Sequence, residues 1–372
     1  MVLLPSGDFF RKLFSRAVTT RNRPGFGPGR TRDSLIYLKM RSGFVSIIGR
    51  PNAGKSTLLN ALIGEKVAIV TAKPQTTRTR IHGMVEVPER KGKHPPTQIV
   101  FVDTPGIHRP ASQLDRSMMH EIHEALMTRD VVLLVVDAVR RQSKAAEAPL
   151  KLDRASEEAL AFEMIRKLDC PVFLVVTKID LVPRDRLLPL IADLSALHSF
   201  AEVIPVSAKK GDGLKLLLHK IAEYLPEGQR WFPKEQFTDQ PERFLVAELI
   251  RERILTETGE EVPYASAVVV ERFEEPEPGS AGPGRKPLTR ITAAIYCERA
   301  GQKAILIGKQ GAMLKAIGTA ARKDIEGLLG TRVFLELFVK VQEEWRSSRG
   351  FVEELDWRRQ LEQIAAKQQQ EE

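Results

Sequence analysis

A glycine-rich segment with one lysine and one serine at fixed spacing offers the clearest chemistry in the sequence. Residues 49–56 have the sequence GRPNAGKS and match G-x-x-x-x-G-K-[S/T] at every fixed position, after an apolar strand and before a predicted helix. Glycines let backbone N–H groups approach phosphate oxygens, and the positive end of the helix dipole favours the same anion. Lys55 is expected to reach the β- and γ-phosphates and Ser56 to ligate Mg²⁺. The segment therefore predicts a nucleotide site, whose phosphate cradle also includes Asn52, Ala53, Gly54 and Thr57.

An acidic motif and a polar segment belong to the same predicted site. Asp103-Thr104-Pro105-Gly106 follows an apolar strand. Its carboxylate can hold Mg²⁺ through water, and the Gly106 N–H can sense the γ-phosphate. Before it lies Pro74-Gln75-Thr76-Thr77-Arg78, which is typical of a mobile switch. Thr77 is the favoured ligand of Mg²⁺ and the γ-phosphate there, and Thr76 is the next candidate. The predicted catalytic groups are therefore Lys55, Thr77 and Gly106.

Two motifs at predicted strand ends indicate which base the site selects. Thr177-Lys178-Ile179-Asp180 places a carboxylate where it can accept hydrogen bonds from guanine N1–H and N2–H₂. Adenine lacks this donor pair and would leave a buried acid unpaired, so the motif favours guanine. Ser207-Ala208-Lys209 follows the last predicted strand of this part of the chain. Its backbone is expected to contact the guanine oxygen.

The order and spacing of these motifs resemble the G1 to G5 boxes of Ras-like GTPases. From residue 40 to residue 228, short apolar strands alternate with helical stretches, which is typical of a mostly parallel sheet covered on both faces. The resemblance implies a Ras-like α/β P-loop GTPase domain over this range. Its fourth box usually begins with Asn, whereas this chain has Thr177. Threonine can make a smaller version of the same hydrogen bonds, so we expect guanine preference to survive with altered affinity.

The residue after the acidic motif is not the glutamine that orients attacking water in Ras-like switches. Ile107 occupies this position and cannot hydrogen-bond water. Hydrolysis must then depend on phosphate positioning, the metal and a second cation. In related GTPases with an apolar residue here, the P-loop asparagine resembles a K⁺ ligand, which makes Asn52 the candidate. We expect hydrolysis to be slow alone and to be stimulated by K⁺.

A second glycine motif lies near the C-terminal end. Gly308-Lys309-Gln310-Gly311 resembles the G-x-x-G loop of KH domains, which clamps about four nucleotides of single-stranded RNA. The predicted order of helix, strand, strand, helix, loop, helix, strand matches a type II KH domain. We assign residues 242–346 to this smaller α+β domain and residues 229–241 to a linker. Positive charge beside the loop comes from Lys303 and Lys315. The apolar residues expected to line the cleft include Ile305, Leu314 and Ile317.

The charge balance and the chain ends add broader constraints. The 372 residues include 57 Lys and Arg against 48 Asp and Glu, a formal net charge of +9. Such a basic balance favours polyanions such as nucleic acid, anionic lipid or nucleotide phosphates. Residues 1–39 are expected to be a disordered basic extension, and residues 347–372 a charged tail. No apolar run approaches the roughly 20 residues needed to span a bilayer.

These motifs in this order closely resemble the family of Era-like GTPases with a C-terminal KH domain. The resemblance extends from about Met40 to Arg346 and includes the linker segments Phe232-Pro233 and Asp239 to Arg243. It implies GTP and GDP as substrate and product, and binding near the 3′ end of 16S ribosomal RNA. It also implies a role in assembly of the small (30S) ribosomal subunit. The expected location is the cytoplasm, with peripheral contact with the inner membrane, and the expected state is a monomer.

Two other interpretations stay open on the sequence. The chain could be a GTPase of another class that assists RNA modification, with a C-terminal domain that docks another protein. It could also be a passive RNA-binding module whose nucleotide site only stabilises the fold. Only a KH cleft needs the glycines and the lysine of Gly308–Gly311. These residues therefore distinguish a KH domain from the protein-docking domain of the first alternative. Measurable turnover of GTP would exclude the second alternative, the passive RNA-binding module.

Overall fold

The computed structural model describes residues 40–139, 156–259, 261–276 and 287–362. The predicted N-terminal extension, residues 1–39, lies outside this range. The last ten residues of the predicted tail, 363–372, lie outside it as well.

The first part of the described chain is a six-stranded sheet with helices on both faces. The strand order is β2-β3-β1-β4-β5-β6, and every neighbouring pair is parallel except β2 with β3. The strands are β1 (Arg41–Gly49), β2 (Ile81–Val87), β3 (Thr97–Asp103), β4 (Val131–Asp137), β5 (Val172–Thr177) and β6 (Glu202–Pro205). The helices are α1 (Lys55–Ile63), α2 (Gln113–Met127), α3 (Glu157–Ile165), α4 (Arg184–Ser195) and α5 (Leu214–Tyr224).

Two hydrophobic cores cover the faces of this sheet. Leu58 of α1 and Ile221 of α5 pack on one face. Ile122 of α2 and Phe162 of α3 pack on the other. Because both faces are buried, the central strands are almost wholly apolar, as in the sequence VVLLVVD of β4. The expected α/β architecture with a mostly parallel sheet is confirmed.

Strand β2 was not predicted from the sequence. Its apolar residues Ile81, Met84 and Val87 do not alternate strictly, so the strand pattern is weak. Gly83 interrupts the pattern for a packing reason, since a Cβ there would lie 2.1 Å from Cδ1 of Ile63. The strand forms because β3 offers a free edge, with which β2 pairs in antiparallel register along its whole length.

The second part of the described chain is a smaller α+β unit. Its three-stranded sheet has the order β7-β8-β9, with β7 antiparallel and β9 parallel to β8. The hydrophobic core includes Ile250, Ile295 and Ile325, which lie on a helix, a strand and a second helix. The elements are α6 (Glu242–Glu257), β7 (Ala267–Glu274), β8 (Leu288–Cys297), α7 (Ala300–Ile307), α8 (Ala312–Leu329), β9 (Arg332–Val341) and α9 (Arg349–Glu354).

The described end of the chain contacts both units. Trp345 is fully buried, and its Nε1–H donates to the Ala265 carbonyl oxygen at 2.8 Å. Helix α9 packs against α2, and Arg358 donates to Oε1 of Glu121 in α2 at 3.1 Å. None of the described helices has both the length and the apolar character that a membrane span requires.

Candidate functional site

The P-loop joins β1 to α1 and holds its lysine in a buried position. Gly54 has a φ of 93° and Asn52 a φ of 61°, so the loop turns through left-handed conformations before the helix starts. Lys55 is 6% exposed, and its Nζ donates to the carbonyl oxygens of Gly49 at 3.2 Å and Arg50 at 2.9 Å. Burial lowers the pKa of Lys55 to about 8. The loop thus presents a cation beside the positive end of α1, as phosphate binding requires.

Three side-chain oxygens meet next to this lysine. Ser56 Oγ donates to Oδ2 of Asp103 at 2.6 Å and lies 2.8 Å from Thr77 Oγ1. Asp103 is fully buried, and burial raises its pKa to about 6. Its Oδ1 has no hydrogen-bond partner among the described residues. Thr77, rather than Thr76, lies here, because the Thr76 hydroxyl bonds within its own loop. A buried carboxylate oxygen without a partner, beside two hydroxyls, fits a divalent cation that prefers oxygen ligands.

The residues after β3 approach the P-loop closely. A Cβ on Gly106 would lie 2.6 Å from Cγ of Pro51, so only glycine allows this contact. Ile107 donates its N–H to the Gly49 carbonyl at 3.0 Å. Its side chain is fully buried in the core beside Ile122, away from the P-loop pocket. That pocket is lined by P-loop residues including Thr57, by the segment around Thr77, and by Gly106.

Thr177 and Lys178 connect the predicted base-binding segment to the P-loop. The Thr177 hydroxyl donates to the Ala53 carbonyl oxygen at 2.6 Å. Lys178 Nζ donates to the Asn52 carbonyl oxygen at 2.9 Å and to Oδ2 of Asp137 at 2.7 Å. Asp137 was not among the residues predicted from the sequence, although an acid at the end of β4, paired in register with Thr177, is a usable signal.

Asp180 and Ser207 are held together from two different loops. Ser207 is fully buried, and its Oγ donates to Oδ1 of Asp180 at 2.7 Å. This hydrogen bond lowers the pKa of Asp180 below its ordinary value. An ionised carboxylate accepts hydrogen bonds only, which is what the guanine donor pair requires. Ala208 and Lys209 follow in the loop after β6, with Lys209 exposed.

The Gly308–Gly311 loop separates α7 from α8. Gly308 has a φ of 70° and Gly311 a φ of 79°. A Cβ on Gly308 would lie 2.8 Å from Cβ of Met313, whereas one on Gly311 would meet no atom within 4 Å. Lys309 and Gln310 are exposed at the tip. The loop therefore offers bare backbone and one cation to solvent.

A groove runs from this loop along α8 and β9. Its lining includes Gly311, Leu314, Lys315, Gly318, Arg322 and Leu335. Lys303 lies on α7 and does not belong to the groove lining. The expectation that Ile317 lines the cleft was wrong. Ile317 is fully buried with Ala321 and Ile325, because these residues share the core face of α8.

Contacts between the two units involve the segment around Thr77 and were missed by sequence analysis. Arg251 of α6 is 2% exposed, and it donates to the Thr76 carbonyl oxygen and, at 3.4 Å, to that of Gln75. Arg78 donates to the carbonyl oxygens of Ser266 at 2.7 Å and Tyr264 at 3.2 Å. An arginine inside a helix carries no sequence signal for such a partner.

The fold and the two glycine-rich sites define a class of protein, a P-loop GTPase domain followed by a KH domain. Residues 44–178 match a family described as 50S ribosome-binding GTPase, and residues 261–346 match the KH domain family. The GTPase Era of Syntrophus aciditrophicus (strain SB) is 47% identical over 308 residues, 83% of this chain and 92% of that protein. The GTPase Era of Geotalea uraniireducens (strain Rf4) is 46% identical over 319 residues, 86% and 98% of the two chains. The chain belongs to the Era family of GTPases.

Solved structures extend the likeness to both domains. A crystal structure of Era in complex with MgGDPNP and nucleotides 1506–1542 of 16S ribosomal RNA is 38% identical, with a TM-score of 0.75. A variant of Aquifex aeolicus Era bound to GDP and AlF4 has the same identity and TM-score. Each match covers 86% of this chain and 99% of the other. The family expected from the sequence motifs is confirmed.

Proposed function

We propose that this protein is a GTP-driven switch that binds ribosomal RNA near the 3′ end of 16S rRNA and assists assembly of the small subunit. One observation carries the proposal. The Era structure that holds MgGDPNP and nucleotides 1506–1542 of 16S rRNA matches 86% of this chain. This chain has, in the matching order, a P-loop pocket and a glycine loop beside a groove.

In the proposed GTP site, each side chain has a distinct task. Lys55 would leave the two P-loop carbonyls and contact the β- and γ-phosphates. The N–H of Gly106 would contact the γ-phosphate from the opposite side. Asp180, kept ionised by Ser207, would accept the guanine N1–H and N2–H₂. Thr177 would act indirectly, since its hydroxyl holds the Ala53 carbonyl of the P-loop.

Ser56, Thr77 and Asp103 would hold Mg²⁺ between them. The ion would neutralise charge that develops on the phosphate oxygens during transfer. Thr77 would respond to nucleotide state, because it comes from a loop rather than from α1 or β3. Asn52 is proposed to ligate K⁺ through its side-chain oxygen. Its amide already donates to the Ala72 carbonyl at 2.7 Å, which brings the switch loop to the P-loop.

The proposed RNA site is the groove between α8 and β9 with the Gly308–Gly311 loop at its end. The glycines would let a sugar-phosphate backbone approach, and Lys309, Lys315 and Arg322 would contact phosphates. Leu314 and Leu335 would pack against bases. Lys303 lies on α7, outside the groove lining, so it would attract the RNA only through its positive charge and without direct contact.

The two proposed sites are physically connected. Arg251 and Arg78 link the loop that carries Thr77 to the KH domain. A nucleotide that orders this loop would therefore favour one position of the KH domain. Because coupling between sites is reciprocal, RNA in the groove would favour GTP over GDP.

Binding of a labelled single-stranded RNA copied from the 3′ end of 16S rRNA tests this function. We expect the protein to bind it more tightly with a non-hydrolysable GTP analogue than with GDP. The double substitution Gly308→Asp and Gly311→Asp places two anions against the RNA backbone, so we expect at least about a 100-fold loss of affinity. Nucleotide affinity of the double variant is the control and should not change. RNA binding that is indifferent to both the nucleotide and the substitutions would contradict the proposal. It would favour a GTPase that docks a protein or assists RNA modification.

We further propose a cytoplasmic location, with peripheral contact with the inner face of the cell membrane. Support comes from the family resemblance alone. Fractionation in low and high salt tests it, because a peripheral contact based on charge is released by salt. Recovery only in the soluble fraction at low salt would remove the membrane part of the proposal.

A further inference from the structure

One carboxylate connects the two segments that flank the predicted γ-phosphate position. Asp115 is 6% exposed and lies in the first turn of α2. Its Oδ1 accepts a hydrogen bond from Gln75 Nε2 at 3.0 Å and another from His108 Nε2 at 3.0 Å. Gln75 comes two residues before Thr77, and His108 comes two residues after Gly106. Asp115 thus connects two arms of the proposed GTP site, the segment before Thr77 and the segment after Gly106.

Both ring nitrogens of His108 face hydrogen-bond acceptors. Its Nδ1 lies 2.7 Å from the Gly106 carbonyl oxygen, and its Nε2 lies 3.0 Å from Oδ1 of Asp115. A carbonyl and a carboxylate only accept hydrogen bonds, so His108 makes both bonds together only when both ring nitrogens carry a proton. The hydrogen bond to Asp115 raises the pKa of His108, and the carboxylate of Glu157 acts in the same direction. The cation holds the Gly106 peptide in place through its carbonyl oxygen.

Gln75 has an unfavourable backbone conformation that its contacts sustain. Its φ is 58°, a left-handed value that residues other than glycine rarely adopt. The side-chain bond to Asp115 and the contact of Arg251 with the Gln75 carbonyl oxygen hold it there.

We infer that Gln75, His108 and Asp115 form a switch clasp that keeps both arms in the conformation that binds the γ-phosphate. The inference rests on the proposed GTP-dependent function and adds three positioning residues to it. These residues act through Thr77 and Gly106 rather than by contact with the nucleotide. GDP has no γ-phosphate for these arms to hold, so the clasp should matter for GTP and not for GDP.

Asp115 also caps α2, and the test must separate the two roles. Its Oδ2 accepts hydrogen bonds from the N–H groups of Ala111 at 3.1 Å and Ser112 at 2.9 Å. The Ser112 hydroxyl in turn accepts the Asp115 N–H at 3.1 Å and donates to the same Oδ2 at 2.9 Å. Ser112→Ala weakens the cap and leaves both bonds to Oδ1 in place. It is therefore the matched control for substitutions in the clasp.

The first measurement is the dissociation constant of the full-length protein for fluorescent GDP and for a fluorescent GTP analogue. We expect Gln75→Ala and His108→Ala each to weaken binding of the GTP analogue about 10-fold, as loss of a charge-assisted hydrogen bond would. Affinity for GDP should change by less than about twofold. Gln75 lies in a loop outside the hydrophobic cores, so the Gln75→Ala protein tests the clasp even if other variants fold poorly. Ser112→Ala should leave the ratio of the two affinities as in the wild type.

The second measurement is the same affinity ratio across pH. The cation of His108 is present below its raised pKa and is lost as pH rises through that value. The preference of the wild type for the GTP analogue should therefore decline as the pH rises. Lys55 and Asp103 titrate in the same site, so the comparison is with His108→Gln, which retains them. The decline should be smaller in that variant, and the difference between the two pH profiles is the contribution of His108.

Three results would overturn the clasp. Unchanged affinity ratios in Gln75→Ala and His108→Ala would show that the two bonds to Asp115 do not matter. An equal loss in Ser112→Ala would show that Asp115 acts only as a helix cap. A wild-type protein that binds neither nucleotide would remove the proposed function itself, and the clasp with it. The wild-type measurement alone distinguishes this last failure from the other two.

Discussion

At the scale of residues, the phosphate site holds two buried ionisable groups, and burial disfavours the charged form of each. Burial lowers the pKa of Lys55 to about 8 and raises that of Asp103 to about 6. Each group partly offsets the effect on the other, since the lysine favours the carboxylate and the carboxylate favours the lysine. This mutual attraction favours the charged form of both groups. A polyphosphate and a divalent cation would each strengthen this state, so the pair is suited to bind both.

The residue-scale prediction concerns Asn52 and the monovalent cation. The side chain of Ile107 is buried in the core, so it cannot orient water for hydrolysis. A cation at Asn52 would add positive charge beside the phosphates. We expect turnover of GTP in KCl to exceed that in matched NaCl by at least about fivefold, which is roughly 1 kcal/mol of barrier. Asn52→Ala should remove the difference between the two salts.

A control keeps this test specific. Asn52 also holds the Ala72 carbonyl, so its substitution could act through the loop alone. The affinity of Asn52→Ala for the GTP analogue in NaCl should equal that of the wild type if the loop is undisturbed. Equal turnover in the two salts for the wild type would exclude the K⁺ hypothesis.

At the scale of elements, the turn between α7 and α8 depends on glycine for two different reasons. Gly308 needs both a positive φ, which at its ψ of 177° is open almost only to glycine, and space, because Met313 lies where a Cβ would project. Gly311 needs only the left-handed backbone, since no neighbouring atom lies within 4 Å of an added Cβ. The turn sets the start of α8 and hence the direction of the groove. Its two glycines are therefore expected to tolerate substitution unequally.

The element-scale prediction compares three glycine-to-alanine substitutions. Gly311→Ala should lower the free energy of unfolding by about 1 kcal/mol, the cost of a left-handed residue. Gly308→Ala should cost about 2–3 kcal/mol, since steric overlap with Met313 adds to it. Gly327→Ala lies within α8 with no neighbour near the added Cβ, so it should stabilise by about 0.5–1 kcal/mol. Denaturant unfolding followed by circular dichroism measures all three. A Gly308→Ala protein as stable as Gly311→Ala would contradict the steric argument.

At the scale of the whole molecule, the GTPase and KH domains meet at the loop that carries Thr77. Arg251 enters from α6, and its guanidinium group also pairs with Glu248 at 2.7 Å. Trp345 stacks on Arg78, whose guanidinium carbon lies 5.6 Å from the ring centroid. At a third point, Arg358 from the chain end bonds Glu121 of α2. The KH domain therefore contacts the segment that would respond to the γ-phosphate, and these contacts are the route of the proposed coupling.

The molecule-scale prediction concerns Arg251→Ala. Removal of this buried side chain leaves the Thr76 and Gln75 carbonyls without their KH-domain donor. We expect the difference in RNA affinity between the GTP-analogue and GDP states to fall by at least about fivefold, with affinity in the GDP state unchanged. RNA binding measured in both nucleotide states checks this result.

Arg253→Ala supplies the comparison for the same helix. Arg253 bonds Oδ2 of Asp324 at 2.7 Å within the KH domain and has no bond to the loop that carries Thr77. Its loss should leave the effect of the nucleotide on RNA binding intact. If both arginine variants reduced that effect equally, general weakening of α6 would be the better explanation.

The sequence alone determined the local parts of this protein. In four short segments, backbone conformation and chemistry come from adjacent residues. These segments are the P-loop, Asp103–Gly106, Thr177–Asp180 and Gly308–Gly311. Their spacing identified the family because each stands at a strand end or a helix start. Continuous apolar strands likewise predicted a sheet buried on both faces.

Tertiary structure alone decided which distant residues act together. Asp115 meets Gln75 across 40 residues, and Arg251 meets Thr76 across 175 residues. No periodicity in the chain marks such pairs, because their partners come from other elements. The burial of Ile317 and the pairing of β2 also depended on what packed beside them. Chemistry that resides in one loop can be predicted from sequence, whereas coupling between loops depends on how the elements pack.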